Sequence, residues 1–141
     1  FNVFGDNQDP QSQYSAVIPK FIKMFIEDKQ PVIYGDGTQS RDFTYIKNVV
    51  QANLNACKSP EAAGHVLNIA SGRAYSLIDM VNMINKKLNK NIKPVLQESR
   101  KGDVLHSLAD ISKANTLLDY RPEWDFMKGL NCVIDSFLEM Y

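Results

Sequence analysis

A chain of 141 residues is the size of one compact domain, with 44% apolar and 23% charged residues as in ordinary globular proteins. Its 16 basic and 16 acidic residues cancel, which removes any overall field favouring nucleic acid or an anionic membrane. No apolar run approaches the roughly 18 residues of a spanning helix, and no signal-peptide pattern is present, so a cytoplasmic protein without membrane or nucleic-acid partners is expected. Cys57 and Cys132 lie among apolar residues on helical patterns and are expected to be reduced core thiols.

In chain order, the opening FNVFG reads as the tail of a buried strand whose burying partners precede it, the mark of a fragment. Gly5 to Ser15 is a polar loop. Val17, Ile18, Phe21, Ile22, Phe25 and Ile26 recur at helical spacing across Ala16 to Asp28, with Pro19 tolerable near the first turn. Pro31 to Tyr34 reads as a short strand, closed by the turn Gly35-Asp36-Gly37 and paired with a second strand through Arg41 to Thr44. Ile46, Val49, Val50, Leu54 and Cys57 mark a helix ending before Pro60, and Val66 to Ala70 suits a buried strand. Ser76 and Asp79 form a capping-box start for a helix that buries Leu77, Val81, Ile84 and Leu88. Ile92 to Leu96 and Val104 to Leu108 are further strand candidates; Asp110 caps a helix through Leu118, and a last helix buries Leu130, Val133, Ile134, Phe137, Leu138 and Tyr141. Interleaved helices and short strands predict an α/β fold.

Only four arginines occur against twelve lysines, and two of them, Arg41 in GDGTQSRDF and Arg100 in ESRKGDV, sit in polar, glycine-containing stretches. A planar guanidinium suits a phosphate, two would match a pyrophosphate, and a carboxylate such as Asp103 can accept from a ribose diol. Arginines beside a glycine turn fit a solvated surface equally well. Their order along the chain narrows the choice. The series FNVFG, YSAVIPKFI, IYGDGTQSRDFTYI, VLNIASG and RKGDVLHSLADISKA resembles the extended short-chain dehydrogenase/reductase family, and within it the UDP-N-acetylglucosamine and UDP-glucose 4-epimerases.

The resemblance implies that residues 1–141 are the C-terminal nucleotide-sugar-binding half of such an enzyme, carrying the last strands of its Rossmann sheet. It implies that Asn2 contacts the sugar–diphosphate link, that Ala16 and Val17 line the uridine pocket, and that the strand backbone at Val32 and Tyr34 bonds the uracil edge. Plain core packing is the competing account of Val17, Val32 and Tyr34. Arg41 and Arg100 correspond to pyrophosphate arginines, Asp103 to the ribose contact, and Gln8 to a glutamine near the hexose of enzymes that accept N-acetylated sugars. Ser107 stands where members restricted to UDP-glucose and UDP-galactose carry tyrosine, so the resemblance implies room for a 2-acetamido group.

Two family motifs are absent. Glycines 5, 35, 37, 64, 72, 102 and 129 give no GxxGxxG for NAD, and no tyrosine is followed four residues later by lysine, so no YxxxK pair occurs. Both would belong to an N-terminal half, whose tyrosine and NAD the resemblance makes responsible for the redox step. The chain alone is therefore expected to be inactive, and full-length members are expected to be homodimers. His65 and His106 have no metal-ligand companions at useful spacing. A nucleotide-sugar 4,6-dehydratase or decarboxylase, and a non-catalytic nucleotide-binding or assembly module, are the alternatives; Gly102-Asp103-Val104 resembles the epimerases more.

Overall fold

The computed structural model describes residues 2–8 and 17–140. Strand β1 (Val3–Phe4) leads, beyond the first loop, to helix α1 (Val17–Ile26), then β2 (Val32–Tyr34), β3 (Ser40–Arg41), β4 (Thr44–Tyr45) and α2 (Ile46–Lys58). A 3-10 turn at Pro60–Ala62 precedes β5 (Tyr75–Ser76), α3 (Leu77–Leu88), β6 (Val95–Gln97), β7 (His106–Ser107), α4 (Ser112–Leu118) and α5 (Phe126–Met140). Three small sheets result: β1 beside β4, β2 beside β6, and β3 between β5 and β7, all parallel except the β3–β5 pair.

Helices α1, α3 and α5 pack on one another. The apolar stripe of α1 buries Ile18, Phe21, Ile22 and Phe25, as its spacing predicts, against Met80, Val81 and Ile84 of α3 and Leu130, Val133, Ile134 and Phe137 of α5. Fully burying one such side chain favours folding by about 1.5–3 kcal/mol, so this triad anchors the domain. The capping box is present: Ser76 Oγ accepts from Asp79 N at 3.0 Å while Asp79 Oδ2 accepts from Ser76 N at 3.0 Å. Beside the triad, Phe43 stacks on Phe126 with centroids 4.9 Å apart, and Phe4 meets Phe126 edge-on. Gly129 lets α5 approach this aromatic group, since a Cβ there would lie 2.8 Å from Tyr45 Cγ.

Several expectations are corrected. The segment 41–44 does not pair with β2. It divides at Asp42 and Phe43 into β3 and β4, which serve different sheets, while β2 pairs with β6. Asp42 makes the division: its buried carboxylate accepts from Ser71 N, Ser71 Oγ and Gly72 N at 2.5–2.9 Å. Helix α2 turns its apolar stripe outward, leaving Ile46, Val50, Leu54 and Cys57 exposed, so Cys57 is not a core thiol. It is held instead by Ala52, which packs with Ala114, Leu118 and Tyr120, and by Asn48, which bonds the Trp124 backbone. Both cysteines are free. Residues 66–70 form no strand, and Val66 is 87% exposed, because no ladder neighbour lies beside them among the described residues. In α5, Leu138 is exposed, and Tyr141 lies outside the described residues.

Candidate functional site

A cavity of about 350 Å³ opens where the start of α1, the end of β2, β3 and the stretch after β6 converge. It gathers Asn2, Val17, Val32, Tyr34, Arg41, Arg100 and Asp103 from five separate parts of the chain. Arg41 is the most heavily engaged. Its Nη1 donates to Ser40 O at 2.9 Å and Leu105 O at 3.2 Å, and its Nη2 to Asp103 Oδ1 at 2.8 Å. A guanidinium has five N–H donors. Three are committed, leaving Nε and one Nη2 hydrogen for an incoming anion, a pair suited to two phosphate oxygens. Because Asp103 is nearly half exposed, its ion pair adds little stability; what the pair does is orient the fork and join β3 to the 100–105 turn. Arg100 lies on the Tyr34 ring, its guanidinium carbon 3.8 Å from the centroid.

The cavity also includes residues that the sequence motifs did not assign to a site: Lys20, Phe21, Ile33, Gln39, Phe43 and Leu77. Lys20 and Phe21 stand three and four positions after Val17 on α1, so the helical period that placed Val17 could have found them. Gln39 carried no signal; it is buried, and its Nε2 donates to Tyr34 O at 2.6 Å. Three cations, Lys20, Arg41 and Arg100, thus face one carboxylate, Asp103. A wider groove of about 550 Å³ has the opposite balance, Arg73 against Asp110, Glu123 and Asp125, the wrong sign for a diphosphate.

The other expected residues lie elsewhere. Gln8 lines a separate cleft with residues 3–7 and Ile46, and its Oε1 is buried without a partner. Ser107 lies opposite Arg41 in the β3–β7 register, half-buried, outside the cavity lining. Ala16 lies outside the described residues.

Two phenols are held in their protonated form. Burial, reinforced by the Asp6 carboxylate that accepts a hydrogen bond from it, pushes the Tyr45 hydroxyl well above the usual tyrosine range. Burial likewise pushes Tyr120 up to about 12, with Asp42 nearby as a second cause. No group of three or more potential metal ligands occurs among the described residues. The described residues contain no helix long and apolar enough to cross a membrane.

The signature of the NAD dependent epimerase/dehydratase family matches residues 1–70. A UDP-glucuronate 4-epimerase of Thermodesulfobacterium geofontis is 32% identical over 136 residues, which are 96% of this chain and 40% of that protein. The solved UDP-N-acetylglucosamine 4-epimerase from Methanobrevibacter ruminantium M1, in complex with UDP-N-acetylmuramic acid, superimposes with a TM-score of 0.91 at 39% identity, covering 100% of this chain and 45% of that one. The UDP-glucuronic acid 4-epimerase from Bacillus cereus, in complex with UDP-glucuronic acid and NAD, gives 0.90 at 34% identity, covering 100% of this chain and 44% of that one. The chain therefore spans less than half the length of these relatives. The glycines of this chain are scattered, five of them at positive φ and Gly129 inside α5, and their spacing gives no fingerprint loop to cradle a dinucleotide, so these residues do not fit an NAD site of their own. With matching sequence motifs, an α/β fold shared along its whole length and a converging cationic cavity, the chain belongs to the NAD dependent epimerase/dehydratase family, corresponding to the C-terminal part of its UDP-sugar 4-epimerases.

Proposed function

We propose that this chain grips the UDP end of a nucleotide sugar as the substrate-binding half of a UDP-sugar 4-epimerase. The observation that carries the reading is the geometry of Arg41: a fixed guanidinium with two donors left over, beside Arg100 and Lys20 and braced by Asp103. The diphosphate lies against the three cations, one Asp103 oxygen remains for the ribose, and the base enters between Val17, Phe21 and the β2 backbone. In the full-length enzyme, UDP-N-acetylglucosamine and its galacto epimer are interconverted, as are UDP-glucose and UDP-galactose. The similar enzymes that act on UDP-N-acetylglucosamine or hold UDP-glucuronic acid support the class of substrate.

The role of this chain is positional. Holding the nucleotide end removes translational freedom from the sugar, so that its reacting carbon is presented in one place. The dinucleotide and a tyrosine–lysine pair are to be supplied by a second, dinucleotide-binding half, and the enzyme works in the cytoplasm as a homodimer. Alone, the chain turns nothing over.

Calorimetric titration with UDP tests the grip. The unaltered chain should bind, and the double substitution Arg41→Ala, Arg100→Ala should abolish binding while leaving the circular dichroism spectrum unchanged. A well-folded double variant that binds UDP as tightly as the parent would exclude these arginines as the phosphate clamp.

A further inference from the structure

The two arginines of the cavity are held in different ways. Arg41 is fixed through its edge, with Nη1 and Nη2 donating to Ser40 O, Leu105 O and Asp103 Oδ1. Among the described residues, the Arg100 side chain makes no hydrogen bond or ion pair. Its partner is the Tyr34 ring, whose centroid lies 3.8 Å from the guanidinium carbon.

The fold sets that ring in place. Along β2, Ile33 is buried in the core, whereas Val32 and Tyr34 on either side of it line the cavity. The strand register puts Tyr34 opposite Gln97 of β6, three residues before Arg100. The chain beyond β6 therefore has only to turn back to lay Arg100 on the ring. The Tyr34 backbone is itself pinned, its carbonyl accepting from the Nε2 of buried Gln39 at 2.6 Å. Residues 98–103, which carry Arg100, are exposed throughout and turn at Gly102 with φ +86°. The ring is the firm partner and the arginine the supported one.

Stacking and hydrogen bonding leave a guanidinium in different states. A hydrogen bond consumes a donor at the edge, whereas a ring beneath the plane holds the cation by its face and consumes none. All the N–H donors of Arg100 thus remain available to phosphate oxygens. The ring meanwhile restricts a long exposed side chain whose rotamer freedom would otherwise be lost on binding. We propose that Tyr34 is a positioning residue for the phosphate clamp, its ring holding Arg100 by the face so that the guanidinium edge meets the diphosphate. The inference rests on the cavity being the nucleotide site proposed above and adds to it a role for the Tyr34 side chain, separate from its strand backbone.

The test is a cycle of UDP titrations on the unaltered chain, Tyr34→Phe, Tyr34→Leu, Arg100→Ala and the double variant Tyr34→Leu, Arg100→Ala. Tyr34→Phe keeps the ring and should bind within about twofold of the parent, the scatter of a benign surface change. Tyr34→Leu should bind about three- to tenfold more weakly, the scale of a partly exposed cation–π contact. In the Arg100→Ala chain, which keeps Arg41, adding Tyr34→Leu should weaken UDP no further, because the ring then has nothing to hold. Should leucine lower the melting temperature, Tyr34→Met repeats the test with a longer, unbranched side chain. Parental affinity in Tyr34→Leu overturns the proposal, as does a Tyr34→Phe chain that loses as much as Tyr34→Leu. Tighter binding by Tyr34→Leu also overturns it, since the ring would then compete with the phosphates for Arg100. So does an equal loss in both backgrounds, which packing or contact with the base would give. If the unaltered chain binds no UDP, the nucleotide reading itself falls and the Tyr34 role with it. UDP binding with no coupling between positions 34 and 100 removes the Tyr34 role alone.

Discussion

At the scale of single residues, the roles proposed for Arg41 and Ser107 rest on one pair of strands. Arg41 spends three of its five donors on its own chain, an arrangement that lysine, with a single ammonium, cannot reproduce. Ser107 lies directly across the β3–β7 ladder from it, so the same two strands place the residue proposed to face the hexose and the one proposed to hold the phosphates. Packed sites yield little to added volume. In the full-length enzyme, Ser107→Tyr should therefore cut turnover of UDP-N-acetylglucosamine by about tenfold or more, an overpacking cost on the order of 1–3 kcal/mol, and spare UDP-glucose. Coupled assays on both substrates decide the point; equal turnover of the acetylated sugar by parent and variant would refute the steric argument.

At the scale of elements, helix starts and helix faces behave differently. The α3 start is a local device: Ser76 and Asp79 satisfy each other's backbone N–H groups within four residues, and it was legible because it needs nothing distant. Ser76→Ala should cost about 1 kcal/mol of stability, seen as a lower urea midpoint with an unchanged slope. An unchanged midpoint would mean that tertiary contacts alone hold the first turn. Asp110 was expected to cap α4, but the capping position falls to Ile111; Asp110 instead accepts from Ser112 N at 2.8 Å one residue earlier, and the Ser112 side chain, with that backbone bond second, holds its carboxyl below the usual range. A carboxyl depressed in the folded state stabilises above its unfolded pKa and loses that contribution as pH falls. The α2 stripe was legible as a helical period, yet its direction was not, since periodicity says that a face is apolar and not which neighbour covers it.

At the scale of the whole molecule, the outward residues of α2 and the extended run at Val66 leave apolar surface open: Val50 is 50% exposed, Leu54 51% and Val66 87%. Parallel strands are ordinarily covered on both faces, and among the described residues β1 and β4 form a sheet of two. Left uncovered, apolar surface of this kind favours association. Sedimentation velocity over a concentration series should show reversible self-association that Val50→Lys with Leu54→Lys suppresses, while UDP binding persists. A parent chain that stays monomeric throughout would argue that the patch is too small to drive assembly.

The sequence by itself determined the features that close over a few residues: the α1 stripe, the capping box, the existence of the helix marked by Ile46, Val49, Val50, Leu54 and Cys57, and the motif order that assigned the family and most of the cavity's polar groups. The tertiary structure alone decided the pairings between distant segments. Arg41 meets Asp103 across 62 residues, β2 takes β6 rather than its sequence neighbour, and Asp42 splits one expected strand into two by binding the 71–72 turn. The reason is physical. A helix or a cap satisfies its own hydrogen bonds locally, whereas a strand's partner is chosen by where the rest of the chain leaves an open edge, and no window of sequence contains that information.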